Sequence, residues 1–166
     1  MIQQKLAVKT DDGGVVIMSV VLHDGRKKFY PDFDKLVAQS AEHGWNGKPV
    51  SWRLTDDAEI TGLDRYFRGA WEDSGRLGVN LPKAREIHLS HIRIARDREL
   101  RRLDTEYIKA DEAGDTTRKQ EIAQRKQSLR DLPETFDLSK ATTPEELKAL
   151  WPPELTATVA TPRGRR

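Results

Sequence analysis

The sequence predicts an α+β fold: a small N-terminal β-hairpin or meander with short helices, then a long antiparallel helical hairpin and a short C-terminal helix. Three observations lead there. A β-branched run, Val15 to Leu22, sits between two turn-forming clusters. From Pro82 onward no Gly or Pro occurs until Gly114, so one long helix is expected, and a second follows to Asp131. Thr143-Pro144-Glu145-Glu146 then has the pattern of a fresh helix start. The corresponding segments are a head over 1–78, a hairpin arm over 79–132, a capping segment with a helix over 133–155, and a flexible tail over 156–166.

Composition favours an extended shape. Of 166 residues, 36% are apolar and 34% charged, too few and too many for a compact sphere. Long helices place that charge on solvated outer faces. The 29 basic and 27 acidic residues leave a net charge of +2, which by itself gives no argument for nucleic acid. Cysteine is absent, which excludes disulfides, a thiolate nucleophile and a cysteine-based zinc site. No apolar run nears the roughly 18–20 residues of a membrane span, and Met1 to Lys5 lacks the start of a secretory signal, so no membrane partner is expected. The expectation is a soluble protein of the cytoplasm or of a particle assembled there.

In chain order, Lys5 to Thr10 leads into the turn cluster Asp11-Asp12-Gly13-Gly14. Val15 to Leu22, the most apolar run, is expected to be a buried strand, with a peptide-binding edge as the alternative. Asp24-Gly25 is a hairpin signal, and Lys28-Phe29-Tyr30 is expected to pair back. Asp32 caps a helix with apolar positions Phe33, Leu36, Val37 and Ala41, stopped by Gly44. Val50 to Leu54 alternates as a short strand. Leu63 to Trp71 reads as one short helix with Tyr66, Phe67, Ala70 and Trp71 on its apolar face, and Asp73 to Gly78 as a flexible joint. Trp45, Trp52 and Trp71 are expected to cover the base of the long helix, or to anchor a partner.

Pro82 suits the first turn of the long helix, where its missing N–H is no loss. Ile92, Arg96, Leu100, Leu103, Tyr107 and Ala110 step by three or four residues, a coiled-coil-like seam with one arginine in it. Gly114-Asp115 makes the turn, and Asp115 or Thr116 caps the second helix, whose stripe is Ile122, Ala123, Leu129 and Leu132. Pro133 is expected to end it. So thin a stripe predicts a hairpin that needs the head, a second copy or a partner to pack against. The third helix runs from Pro144 to Trp151, capped by Thr143 and closed by Pro152-Pro153, with Leu147, Leu150 and Trp151 on its apolar face.

Chemistry-bearing residues do not converge on a catalytic or cofactor motif. His88 and His91 sit three apart, but no third ligand is in register and His-Glu-x-x-His is absent, so no metal site is expected. Asp11-Asp12 and Asp56-Asp57 sit where Asp serves turns and caps. No phosphate loop, dinucleotide fingerprint or nucleophile elbow occurs. The expectation is a non-enzyme with no cofactor. Two contact modes stay open. Protein contact would use Trp71, Ile92, Leu100, Leu103, Tyr107 and Trp151. Nucleic-acid contact would use the basic helix faces through Arg93, Arg96, Arg101, Arg118 and Arg125. Interleaved acids such as Glu99, placed for a pair with Arg102, favour the first.

The segments Phe67 to Trp71, Val79 to His88, Leu103 to Tyr107, Ala113-Gly114-Asp115, Ile122 to Pro133 and Thr143 to Lys148 resemble small proteins encoded among the structural genes of tailed bacteriophages and prophages. The ending Lys126-Gln127-Ser128-Leu129-Arg130-Asp131-Leu132-Pro133 is similar to the C-terminal part of phage tail assembly chaperones. The resemblance spans residues 64–155. It implies a virion component of tail or neck, or a tail assembly factor, bound to other phage structural proteins or to itself as a homo-oligomer. It implies a location in the virion or the host bacterial cytoplasm.

Overall fold

The computed structural model describes residues 2–23 and 32–155. The fold is α+β. The chain forms two compact units, Met1–Ala84 and Arg85–Arg166.

In the first unit, strands β1 (Ile2–Thr10), β2 (Val15–His23) and β3 (Pro49–Thr55) form an antiparallel sheet in the order β2-β1-β3. The β1–β2 turn is closed by Asp12, whose carboxylate accepts hydrogen bonds from the Thr10 hydroxyl and the Gly14 N–H. Gly13 takes φ +74° there, a conformation that favours glycine. Sheet position overrides local hydrophobicity. The moderately apolar β1 is central, and Leu6, Ala7 and Val8 are fully buried. The more apolar β2, expected to be the buried strand, lies at an edge among the described residues and leaves Val21 45% exposed. The expected Asp24-Gly25 turn and Lys28–Tyr30 strand lie outside the described residues.

Both sheet faces are covered. Helix α1 (Phe33–Ala41) packs Val37, Phe33 and Leu36 against Leu6, Val8 and Val20. Asp32 caps it by accepting from Lys35 N–H at 3.1 Å. Trp52 meets Phe33 with ring centroids 5.2 Å apart and donates Nε1–H to Asp34 at 2.7 Å. On the other face lie Ala7, Val15, Leu63, Trp71 and Leu77. Here the expected single helix from Leu63 to Trp71 is corrected. After α2 (Asp57–Thr61), a 3-10 turn spans Arg65–Ala70, kinked at Phe67 (φ −103°, ψ 28°). Trp71 then turns extended to begin β4 (Trp71–Asp73). The expected flexible joint is an ordered hairpin of β4 with β5 (Leu77–Val79), turning at Gly75 with φ +97°. Asp73 holds it: its buried carboxylate accepts from Gly75 N–H at 3.0 Å and from Arg53 Nε–H at 2.9 Å.

Helix α3 (Leu81–Glu112) starts on an Asn80 side chain that accepts from Lys83 N–H at 3.0 Å. Gly114, at φ +69°, closes its C-terminal end, and Asp115 caps α4 (Thr116–Thr135) by accepting from Arg118 N–H at 2.9 Å. Pro133 lies inside α4 rather than ending it. Its ring removes one N–H close to the helix end, and the next turn still closes through Phe136 N–H to Leu132 O at 2.9 Å. Helix α5 (Pro144–Ala149) carries the full Thr143/Glu146 capping box and stops before Leu150 and Trp151. Within the second unit, Arg85 donates to Ala141 O at 2.9 Å, tying the C-terminal segment to the α3 start.

Candidate protein-contact surface on the helical hairpin

The two faces of α3 in the second unit differ in what they do with charge. The inner line is Ala110, Leu103, Glu99, Ile92 and His88, all buried, and α4 contributes buried Ile122, Leu129 and Leu132. Two ranks of ion pairs cross between the helices. Asp111 pairs with Lys119, and Asp104 with Lys126 at 2.6 Å. Glu106 pairs with Arg118 at 3.4 Å, and Glu99 with Arg125 at 2.8 Å. Within each rank, seven residues back along α3 match seven forward along α4, so the helices run antiparallel in heptad register. Tyr107 lies between Lys119 and Lys126, whose ammonium groups are 5.5 and 5.4 Å from its ring centroid.

Glu99 is the exceptional member. Its side chain is 2% exposed, yet it is ionically well served. Arg102 donates Nε–H and Nη2–H at 2.9 and 2.7 Å, and Arg125 donates Nη2–H at 2.8 Å. A buried carboxylate is tolerable when both oxygens are hydrogen-bonded to cations. Donation to the Glu99 carboxylate also pushes the Arg102 pKa up. The sequence signals only the helical half of this arrangement, the Glu99–Arg102 spacing. Further along, His88 is fully buried, donates Nε2–H to Leu150 O at 2.7 Å, and stacks edge-on with Trp151 at 5.4 Å. Burial lowers its pKa, with His91 adding to the shift and the Leu150 bond opposing it. His88 therefore works as a neutral packing group.

The expected contact residues separate by placement. Trp71 is in the first unit's core, and Ile92 and Leu103 are inside the hairpin seam. Leu100 and Tyr107 are half-buried beside that seam, and Trp151 is half-buried on His88. Of the five basic residues, Arg96 pairs with Asp97 at 2.8 Å, Arg118 with Glu121 at 3.0 Å as well as Glu106, and Arg125 with Glu99. Arg93 and Arg101 are exposed and make no ion pair among the described residues.

The outer face of α3 carries apolar and cationic side chains open to solvent. Ile94 and Ile108 are 50% and 57% exposed, fourteen residues apart with Arg101 midway. Arg98 and Lys109 lie on the same strip, also without an ion pair among the described residues. The seven-residue spacing was the available signal.

In the first unit, a hollow of about 580 Å³ is lined by Thr10, Asp12, Trp45, Asn46 and Arg68 among others. Its carboxylate is committed to the turn: the Thr10 hydroxyl, then Gly14 N–H, hold the Asp12 pKa below the ordinary value. Such a group is a weak base near neutral pH. Among the described residues, no three His, Cys, Asp or Glu side chains are grouped to hold a metal ion. No described helix is long and apolar enough to cross a membrane. No protein-family model, curated protein or solved structure matches this chain.

Proposed function

We propose that this chain acts by protein–protein contact rather than catalysis, with the outer face of α3 as its docking surface, as a tailed-bacteriophage virion component of tail or neck or as a tail assembly factor. The observation that carries the contact reading is the pair of exposed isoleucines, Ile94 and Ile108, on a helix whose opposite face is already closed by α4. Fourteen residues apart, the two isoleucines keep to the seven-residue interval at which one helix meets another, and Arg101 between them adds a charge to that line. The phage setting rests on the resemblance over residues 64–155.

Mass spectrometry of purified particles divides the setting. Stoichiometric presence supports a virion component. Absence, with capture of a tail protein by the tagged chain from infected cells, supports an assembly factor. A chain that joins no particle and captures no particle protein overturns the phage reading. The alternative, nucleic-acid contact, is favoured by exposed Arg93 and Arg101. It requires affinity for duplex DNA that falls steeply with salt; a flat response removes it.

A further inference from the structure

Resting on that contact reading, we infer that the outer face of α3 docks an acidic amphipathic helix in heptad register, with a partner carboxylate opposite Arg101 and apolar residues over Ile94 and Ile108. Spacing sets the kind of element. Ile87, Ile94, Arg101 and Ile108 recur every seven residues, and Ile94 to Ile108 spans about 21 Å at helical rise. A helix that supercoils along α3 presents one residue to each of these positions, whereas a strand covers the distance in about six residues and presents its side chains at a different spacing.

Charge sets the chemistry. On the inner face, cations of α4 meet carboxylates of α3 in successive pairs. On the outer strip, Arg98, Arg101 and Lys109 have no ion-pair partner among the described residues. The nearby carboxylate Asp97 is taken by Arg96, and Glu112 bounds the strip at its C-terminal end. A second copy packed on the same face would bring Arg98 and Arg101 against their own kind, so the occupant is a different, acidic surface. Arg101 between two isoleucines supplies the register mark, because only one alignment puts a carboxylate on it. Phosphates would meet the cations but leave both isoleucines uncovered.

The test uses the full chain and a synthetic acidic helix of about 21 residues, with Leu at a and d, Glu at e and g, and Asp at the central a position. Fluorescence anisotropy is expected to show saturable binding. Ile94→Gln with Ile108→Gln weakens it by about tenfold or more through lost apolar burial. Arg101→Glu weakens it by about tenfold, and a peptide with Lys at the central position recovers it. Equal binding of a scrambled acidic peptide, or no binding at all, overturns the inference. Tighter binding of a duplex DNA probe, unaffected by the isoleucine changes, overturns it in favour of nucleic acid. The contact reading is judged separately. If the double Gln variant loses a particle protein that the native chain captures, while the acidic peptide fails, the docking face stands and its partner is not an acidic helix. If the variant keeps that capture, the docking face itself is wrong.

Discussion

The two units each hold a charge cluster, and the clusters are inverted copies of each other. In the first unit one guanidinium, Arg53, lies between two carboxylates, Asp73 and Glu59, each at 2.9 Å. In the second, one carboxylate, Glu99, lies between two guanidiniums, Arg102 and Arg125, at 2.7 and 2.8 Å. What differs is which partner can reach water. Asp73 is 4% exposed, so it depends on Arg53. Arg102 and Arg125 are 47% and 48% exposed, so they do not depend on Glu99. The same three-charge pattern is therefore fragile in one unit and replaceable in the other.

The largest expected effect follows from that asymmetry. Arg53→Ala strands Asp73 and should cost about 3–5 kcal/mol in urea unfolding followed by tryptophan fluorescence. Glu99→Leu removes the buried charge and leaves both arginines hydrated. It should change stability by less than about 1 kcal/mol by circular dichroism, in either direction. A Glu99→Leu loss as large as that of Arg53→Ala would dissolve the contrast.

Acid should separate the units next. Burial depresses the His88 pKa below 6.5, so its contribution is present above that value and is lost as pH falls through the lower folded one. The Thr55 hydroxyl, then Arg53, depress the Glu59 pKa below 4.5, so its contribution is lost only at lower pH. The second unit should weaken first on acidification, and His88→Gln should abolish the earlier phase in a pH series of thermal melts. The smallest effect is on the outer face: Ile94→Gln with Ile108→Gln should change stability by no more than about 0.5 kcal/mol, since exposed positions contribute little to folding.

How much the sequence reveals tracks how local the physics is. The caps at Asp32, Asp115 and Thr143 were legible because each bond spans three residues. The Glu99–Arg125 pair was not, since it joins residues twenty-six apart that meet only once the hairpin closes. The edge position of Val15 to Leu22 was not legible for a related reason: which strand is central depends on β3 pairing with β1, not on apolar content. Trp71 reads as helical from its neighbours, but pairing with Val79 makes it a strand residue. Ile94 and Ile108 were visible as letters, yet their exposure became meaningful only once the opposite face was known to be filled.

The ranks of ion pairs in the hairpin have one more consequence. Asp97, Asp104 and Asp111 recur at the same interval as Lys119 and Lys126, and Glu99 and Glu106 at that of Arg118 and Arg125. Sliding α4 one heptad along α3 would set Lys119 on Asp104, Lys126 on Asp97 and Arg118 on Glu99, like the teeth of a rack, but would move Arg125 from Glu99 onto the buried Ile92. Two features therefore oppose the slide: that misplaced arginine, and the short stop at Gly114-Asp115, whose Asp115 N–H closes on Ala110 O at 2.9 Å. Loosening that stop with inserted residues would leave the placement of Arg125 on Glu99 as the brace that holds the register.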